Sequence, residues 1–254
     1  MDVKLKINTQ NSNNEFVKKI NLDDFDFNNL KKTTNCEKHG DDVDALFNNK
    51  CVACYNEQKK VDEINKKQDI INHSITLSNI PKRYQFATYD NYLTKNEEMK
   101  AFKNKFINYQ SNQDFVVFGN TGTGKTHLSI ALLKNLITNY INNLDEIKEV
   151  KNLAYYAKYY NLTDLKISSK QEYKQLINTK YLIIDEFGAN DTDFKERVLF
   201  EIIDQRYDNL LNTIIITNLK PELMKERFSP QLYSRLKENV FTAQAVHEDY
   251  RIVK

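Results

Sequence analysis

Eight consecutive residues, Gly119-Asn120-Thr121-Gly122-Thr123-Gly124-Lys125-Thr126, carry the most specific chemistry in the chain. They match the pattern GxxxxGK[ST] in full, with an apolar run (FVVF) before them and an amphipathic stretch (HLSIALLKNLI) after. Glycines let a backbone wrap closely enough for its N–H groups to face one anion, at the positive end of the following helix. Lys125 would bring a mobile charge to the β- and γ-phosphates of a nucleoside triphosphate such as ATP, and Thr126 a hydroxyl to its Mg2+ ion. A second apolar run, Tyr181-Leu182-Ile183-Ile184, ends in two adjacent acids, Asp185 and Glu186. Ligands of parallel sheets sit beyond the carboxyl ends of the strands. There Asp185 would hold magnesium, and Glu186 would accept a proton from an attacking water or orient it. A third run, Thr213-Ile214-Ile215-Ile216-Thr217, ends at Asn218, whose amide would bond the γ-phosphate or that water.

Phosphoryl transfer also wants positive charge on the transferring group, often from an arginine of a neighbouring subunit. Arg235, in Ser234-Arg235-Leu236, is the expected finger, and Arg206 is a second candidate for an intersubunit contact. A separate cluster reads Cys36-x-x-His39 and Cys51-x-x-Cys54. Three thiolates and one imidazole on two tight turns would fill a tetrahedral structural Zn2+ site and leave no open position for catalysis. The chain has 3 cysteines, and all of them fall in this cluster. Three thiols cannot all pair, which speaks against disulfides. A module this small would fold on its metal rather than on a core. His73, His127 and His247 are given no chemistry.

The elements that must position these groups follow from hydrophobic periodicity. Short apolar runs alternate with longer amphipathic ones, the pattern of a parallel α/β sheet. Strands are expected at Phe115–Phe118, Leu153–Ala157, Tyr181–Asp185, Thr213–Thr217 and Val240–Ala243. Helices are expected at Lys125–Asn142, Tyr159–Lys166, Thr192–Asn209 and Pro221–Lys237. Residues 1–32 are polar and Asn-rich and read as a flexible arm, 33–75 as a zinc-binding module with a connector helix, and 76–254 as the nucleotide-binding domain. With 40% apolar residues, 28% charged residues and a mean hydropathy of -0.67, the chain can bury one core under a soluble surface. It contains no apolar run approaching the ~20 residues needed to span a bilayer and no secretory signal, so a cytoplasmic location without membrane attachment is expected. The 37 basic and 35 acidic residues leave a net charge of +2, so nucleic-acid contact would rest on a few placed side chains or an assembled ring.

The combination resembles the AAA+ class of P-loop ATPases, and within it the DnaC-type helicase loaders of bacteria and phages. Ile80-Pro81-Lys82-Arg83-Tyr84 with Ala87-Thr88-Tyr89-Asp90-Asn91-Tyr92, the loop Gly122 to Leu128, Ile184-Asp185-Glu186-Phe187-Gly188, and Arg206-Tyr207 through Asn218 carry the likeness. It covers roughly Ile80 to the last residue, and the Cys/His cluster is similar to the zinc module at the front of many phage-type loaders. The resemblance implies a five-stranded parallel sheet with a short or absent lid, since only a short tail follows the last strand. It implies an ATPase that binds a hexameric replicative DNA helicase, assembles with copies of itself through the ATPase domain, and delivers the helicase to single-stranded DNA. In these terms Asn218 is sensor 1, Arg235 the finger and Arg251 a sensor 2 candidate. Tyr155, Tyr156, Tyr159 and Tyr160 would face the strand and stack on bases, or else serve as core residues. Three rivals stay open: a transposition helper ATPase of the IstB type, a small-molecule kinase, and a binding module in which ATP is only a switch.

Overall fold

The computed structural model describes residues 36–39, 52–144, 153–188 and 192–249. The chain divides into two compact units, Met1–Asp62 and Glu63–Lys254. Helix α1 (Val52–Leu77) is followed by a 3-10 turn (Lys82–Tyr84) and α2 (Glu97–Ile107). The sheet then begins with β1 (Asp114–Gly119), α3 (Lys125–Asn142), β2 (Ala154–Lys158), a 3-10 turn (Tyr159–Asn161), α4 (Leu162–Ser168) and α5 (Lys170–Asn178). It is completed by β3 (Tyr181–Phe187), α6 (Asp193–Asp208), β4 (Asn212–Thr217), α7 (Pro221–Arg227), α8 (Pro230–Lys237) and β5 (Val240–Ala245).

The five strands lie in the order β2-β3-β4-β1-β5, and every pairing is parallel. This is the expected α/β architecture, and all five expected strands are present. Period-2 alternation splits the core between the two faces. Phe115, Val117, Ile183, Ile214 and Ile216 pack with α2 and α3. Val116, Phe118, Leu182, Ile184 and Ile215 pack with residues of α4, α5, α6 and α8. Parallel strands covered on both faces by helices need near-continuous apolar runs, which is what β1, β3 and β4 supply.

The helices depart from expectation in three places. The span Pro221–Lys237 is two helices, because Pro230 lacks an N–H and disfavours a helical residue before it; Ser229 caps the second helix by accepting from the Leu232 N–H. Helix α2 was not anticipated, although Asn96 caps it at 2.8 Å to the Met99 amide and Met99, Phe102 and Phe106 form its buried stripe. Nor was α5, whose largely polar sequence hides the buried trio Tyr173, Leu176 and Ile177. Among the described residues, no helix is long and apolar enough to cross a membrane.

Candidate functional site

Because β3, β4 and β1 are adjacent and parallel, their carboxyl ends open on the same side of the sheet. There a cavity of about 410 Å³ is lined by Thr121 to Thr126, by Asp185 and Glu186, and by Thr217 and Asn218. Three strand tips and one loop therefore share a single space. The loop turns tightly: Gly122 and Gly124 sit at φ 75° and 82°, in the left-handed region that glycine tolerates, and Gly124 is the N-cap of α3. The Lys125 ammonium is folded back, donating to the Gly119 carbonyl at 2.8 Å and also to that of Asn120.

Asp185 is 4% exposed and is held by three donors. The Thr126 hydroxyl donates to its Oδ2 at 2.9 Å, the Tyr156 hydroxyl to the same oxygen at 2.8 Å, and the Glu186 amide to Oδ1 at 2.8 Å. Burial pushes the Asp185 pKa above the usual carboxylate range, against the pull of these hydrogen bonds. Magnesium takes oxygen ligands, and the Thr126 hydroxyl and the Asp185 carboxylate stand side by side as oxygen groups that fit it. Glu186 is built differently. It has φ 58° and lies in a register shift between Ile184 and Phe187, after which β3 pairs with β4 again at Phe187 and Thr217. Its carboxylate is half-exposed and paired with Lys158 at 3.1 Å.

Several contributors escaped sequence reasoning. Tyr156 was a base-stacking candidate, but it is 3% exposed and serves Asp185 through its hydroxyl. Tyr155 and Tyr159 are buried too, leaving Tyr160 as the one exposed member of the four, so base stacking by this group is withdrawn. Arg83, Tyr84, Asn91 and Tyr92 line the cavity; they stand in the segment that marked the resemblance but had no role there. Lys158 had no signal beyond its place at the end of a strand.

Arg235 is not in the cavity. It lies on α8, with its guanidinium bonded to Asp204 at 3.1 and 3.0 Å and stacked 4.2 Å over the Tyr207 ring. Arg206 overturns its expectation as an intersubunit contact, because it is fully buried in the chain itself. It donates to the carbonyls of Leu176, Ile177, Thr179 and Asn212 and to the Thr213 hydroxyl. An arginine with this many donors engaged inside is a structural staple. Arg251 lies outside the described residues.

In the first unit Cys36, His39 and Cys54 converge. The sulfurs are 3.7 Å apart, and His39 Nδ1 is 3.6 and 3.4 Å from them. A disulfide would need about 2.05 Å. Tetrahedral zinc, with bonds of about 2.3 Å to sulfur and 2.0–2.1 Å to nitrogen, gives edges of roughly 3.5–3.8 Å. The trio fits zinc. Cys51, the expected fourth ligand, lies outside the described residues.

A sequence model of the IstB-like ATP binding proteins matches residues 57–229. The chain is 25% identical over 196 residues to the uncharacterized protein YdaV of Escherichia coli, covering 72% of this chain and 75% of that one. It is 26% identical over 166 residues to the replicative helicase loader DnaC of Buchnera aphidicola, covering 63% and 67%. Among solved structures, the DnaC helicase loader superposes with a TM-score of 0.53 at 23% identity, over 65% of this chain and 99% of that chain. DnaI superposes with a TM-score of 0.52 at 13% identity, over 67% and 94%. These likenesses show that the sheet shares its fold with the DnaC helicase loader and DnaI structures.

Proposed function

The chain belongs to the family of IstB-like ATP binding proteins, and from that premise we propose that it is an AAA+ ATPase that loads a hexameric replicative helicase onto single-stranded DNA. The observation that carries the ATPase reading is the shared cavity, in which Lys125, Thr126, Asp185, Glu186 and Asn218 stand around one space. In the proposal, the N–H groups of the phosphate loop cradle the β-phosphate and Lys125 leaves its carbonyl partners for the γ-phosphate. Thr126 and, through water, Asp185 would hold Mg2+, which would supply positive charge to the phosphates. Glu186 takes the proton of the attacking water, and Asn218 orients that water. Arg235 lies outside this cavity, partly exposed on α8; in the proposal it would leave Asp204 to serve a neighbouring copy's nucleotide.

The replacement Glu186→Gln keeps shape and loses the base. It is expected to retain ATP binding and to lower turnover by about 10²–10⁴-fold, the usual contribution of a general base. Turnover at the wild-type rate would remove Glu186 from the mechanism. The loader reading draws on the DnaC relatives and on the Cys/His trio, which would present a helicase-binding surface. Cys54→Ser is expected to release zinc and weaken helicase capture while leaving nucleotide affinity unchanged; equal loss of both would fold the metal module into the ATPase function. The family match supports a second reading, a transposition helper that acts with a transposase. Pull-down against a replicative helicase and against a transposase separates the two.

A further inference from the structure

The outer surface of the phosphate loop is gripped by two residues that belong to neither the loop nor its motif. Tyr92 comes from the segment before the sheet, and His247 follows its last strand, β5. Both are 3% exposed. The Tyr92 hydroxyl donates to the Thr123 carbonyl at 3.2 Å, and His247 Nε2 stands 3.0 Å from the same oxygen and 3.2 Å from the Tyr92 hydroxyl. A carbonyl only accepts, so Nε2 carries the proton. Nδ1 is buried with no hydrogen-bond partner among the described residues, so the ring's polar contacts run through Nε2.

The consequence follows from peptide planarity. In a trans peptide the C=O and the next N–H point in opposite directions. Anchoring the Thr123 carbonyl on Tyr92 and His247 therefore turns the Gly124 N–H to the opposite side, and Gly124 itself lines the cavity where a phosphate would lie. The Tyr92 ring fixes the same peptide from its flank: a Cβ on Gly124 would stand 2.5 Å from its Cε2. Glycine at 124 thus answers the aromatic ring as well as the φ of 82°. The tail makes a further contact at Gly122, where an added Cβ would meet the Asp249 carboxylate at 1.9 Å.

We propose that Tyr92 and His247 are positioning residues that set nucleotide affinity by holding the Thr123–Gly124 peptide in the anion-binding orientation, so that the segments before and after the sheet both report to the phosphate loop. This rests on the ATP-binding reading above. The test is equilibrium binding of a fluorescent ATP analogue to the full chain with Tyr92→Phe, His247→Phe, both together, and His247→Gln. Tyr92→Phe keeps the ring on Gly124 and removes only the hydroxyl. Each Phe replacement is expected to weaken binding about three- to ten-fold, the range of one lost hydrogen bond. The double variant should fall short of the product of the singles, because both act on one oxygen. His247→Gln, whose amide N–H can reach the carbonyl, should recover most of the affinity, which a mere packing role would not allow. Wild-type affinity in Tyr92→Phe together with equal loss in His247→Phe and His247→Gln would overturn the proposal and leave His247 a core residue. Wild-type affinity in all variants would also overturn it, with the parent reading intact. A wild-type chain that binds no nucleotide would overturn both.

Discussion

Arg206 and Asp185 are both charged and both buried, and they occupy opposite ends of the same sheet. Arg206 closes the end where strands begin, reaching the carbonyls of Thr179 and Asn212 just before β3 and at the start of β4. Its donors are spent on the chain itself. Asp185 stands where the strands end; it is held by Thr126 and Tyr156 yet lines a cavity together with Lys125, Glu186 and Asn218. Burial lowers the pKa of the arginine and raises that of the aspartate, so each resists its own charge. The difference lies in what faces them. A buried charge whose donors are all taken up within its own chain stabilises a fold, whereas one facing open volume is available to a ligand.

The largest effect expected from breaking this contrast is in stability. Arg206→Met leaves several buried acceptors without a donor and should cost about 3 kcal/mol or more in chemical denaturation. Asp185→Asn keeps the shape and sheds a desolvated charge. It should unfold within about 1 kcal/mol of wild type while losing magnesium-dependent ATP turnover. If Asp185→Asn destabilised as much as Arg206→Met, the functional reading of the upper end would fail.

A smaller effect concerns Asp114, at the start of β1, whose carboxylate accepts from the Thr213 amide at 2.8 Å. Burial pushes its pKa up to about 6, while the Thr213 N–H and Arg206 pull it down. The folded chain therefore holds this proton more tightly than the unfolded chain, whose aspartates titrate near 3.9. The Asp114 contribution to stability is complete below about pH 4 and is lost as pH rises to about 6. Asp114→Asn should flatten that part of the stability profile. Removing Arg206 should steepen it, and an unchanged profile in both variants would show that Asp114 and Arg206 are not coupled as described.

The smallest expected effect is at Lys158. Its ion pair with Glu186 has side chains 32% and 47% exposed, so Lys158→Met should change stability by less than about 1 kcal/mol. Turnover should rise two- to three-fold as the carboxylate is released. A ten-fold fall would instead make the lysine part of the machinery.

How much of this was legible beforehand differs between strands and side chains. The β1, β3 and β4 runs announce themselves because a strand covered on both faces tolerates apolar residues at every position. Helix α5 was illegible for the opposite reason: only Tyr173, Leu176 and Ile177 of its nine residues are buried, too few to mark a period. The proline at 230 does carry a signal, and a stricter reading of it would have split the span before α8.

Residue types and spacing alone gave the class of fold, the phosphate loop and the acids and amide at the strand tips, because local backbone chemistry constrains those positions within a few neighbours. Partnership was a different matter. That Tyr156 serves Asp185, that Arg206 faces inward, and that Tyr92 and His247 meet on one carbonyl depends on contacts across 29, 30 and 155 positions of chain. No periodicity encodes such pairings; the packing of strands and helices brings them about.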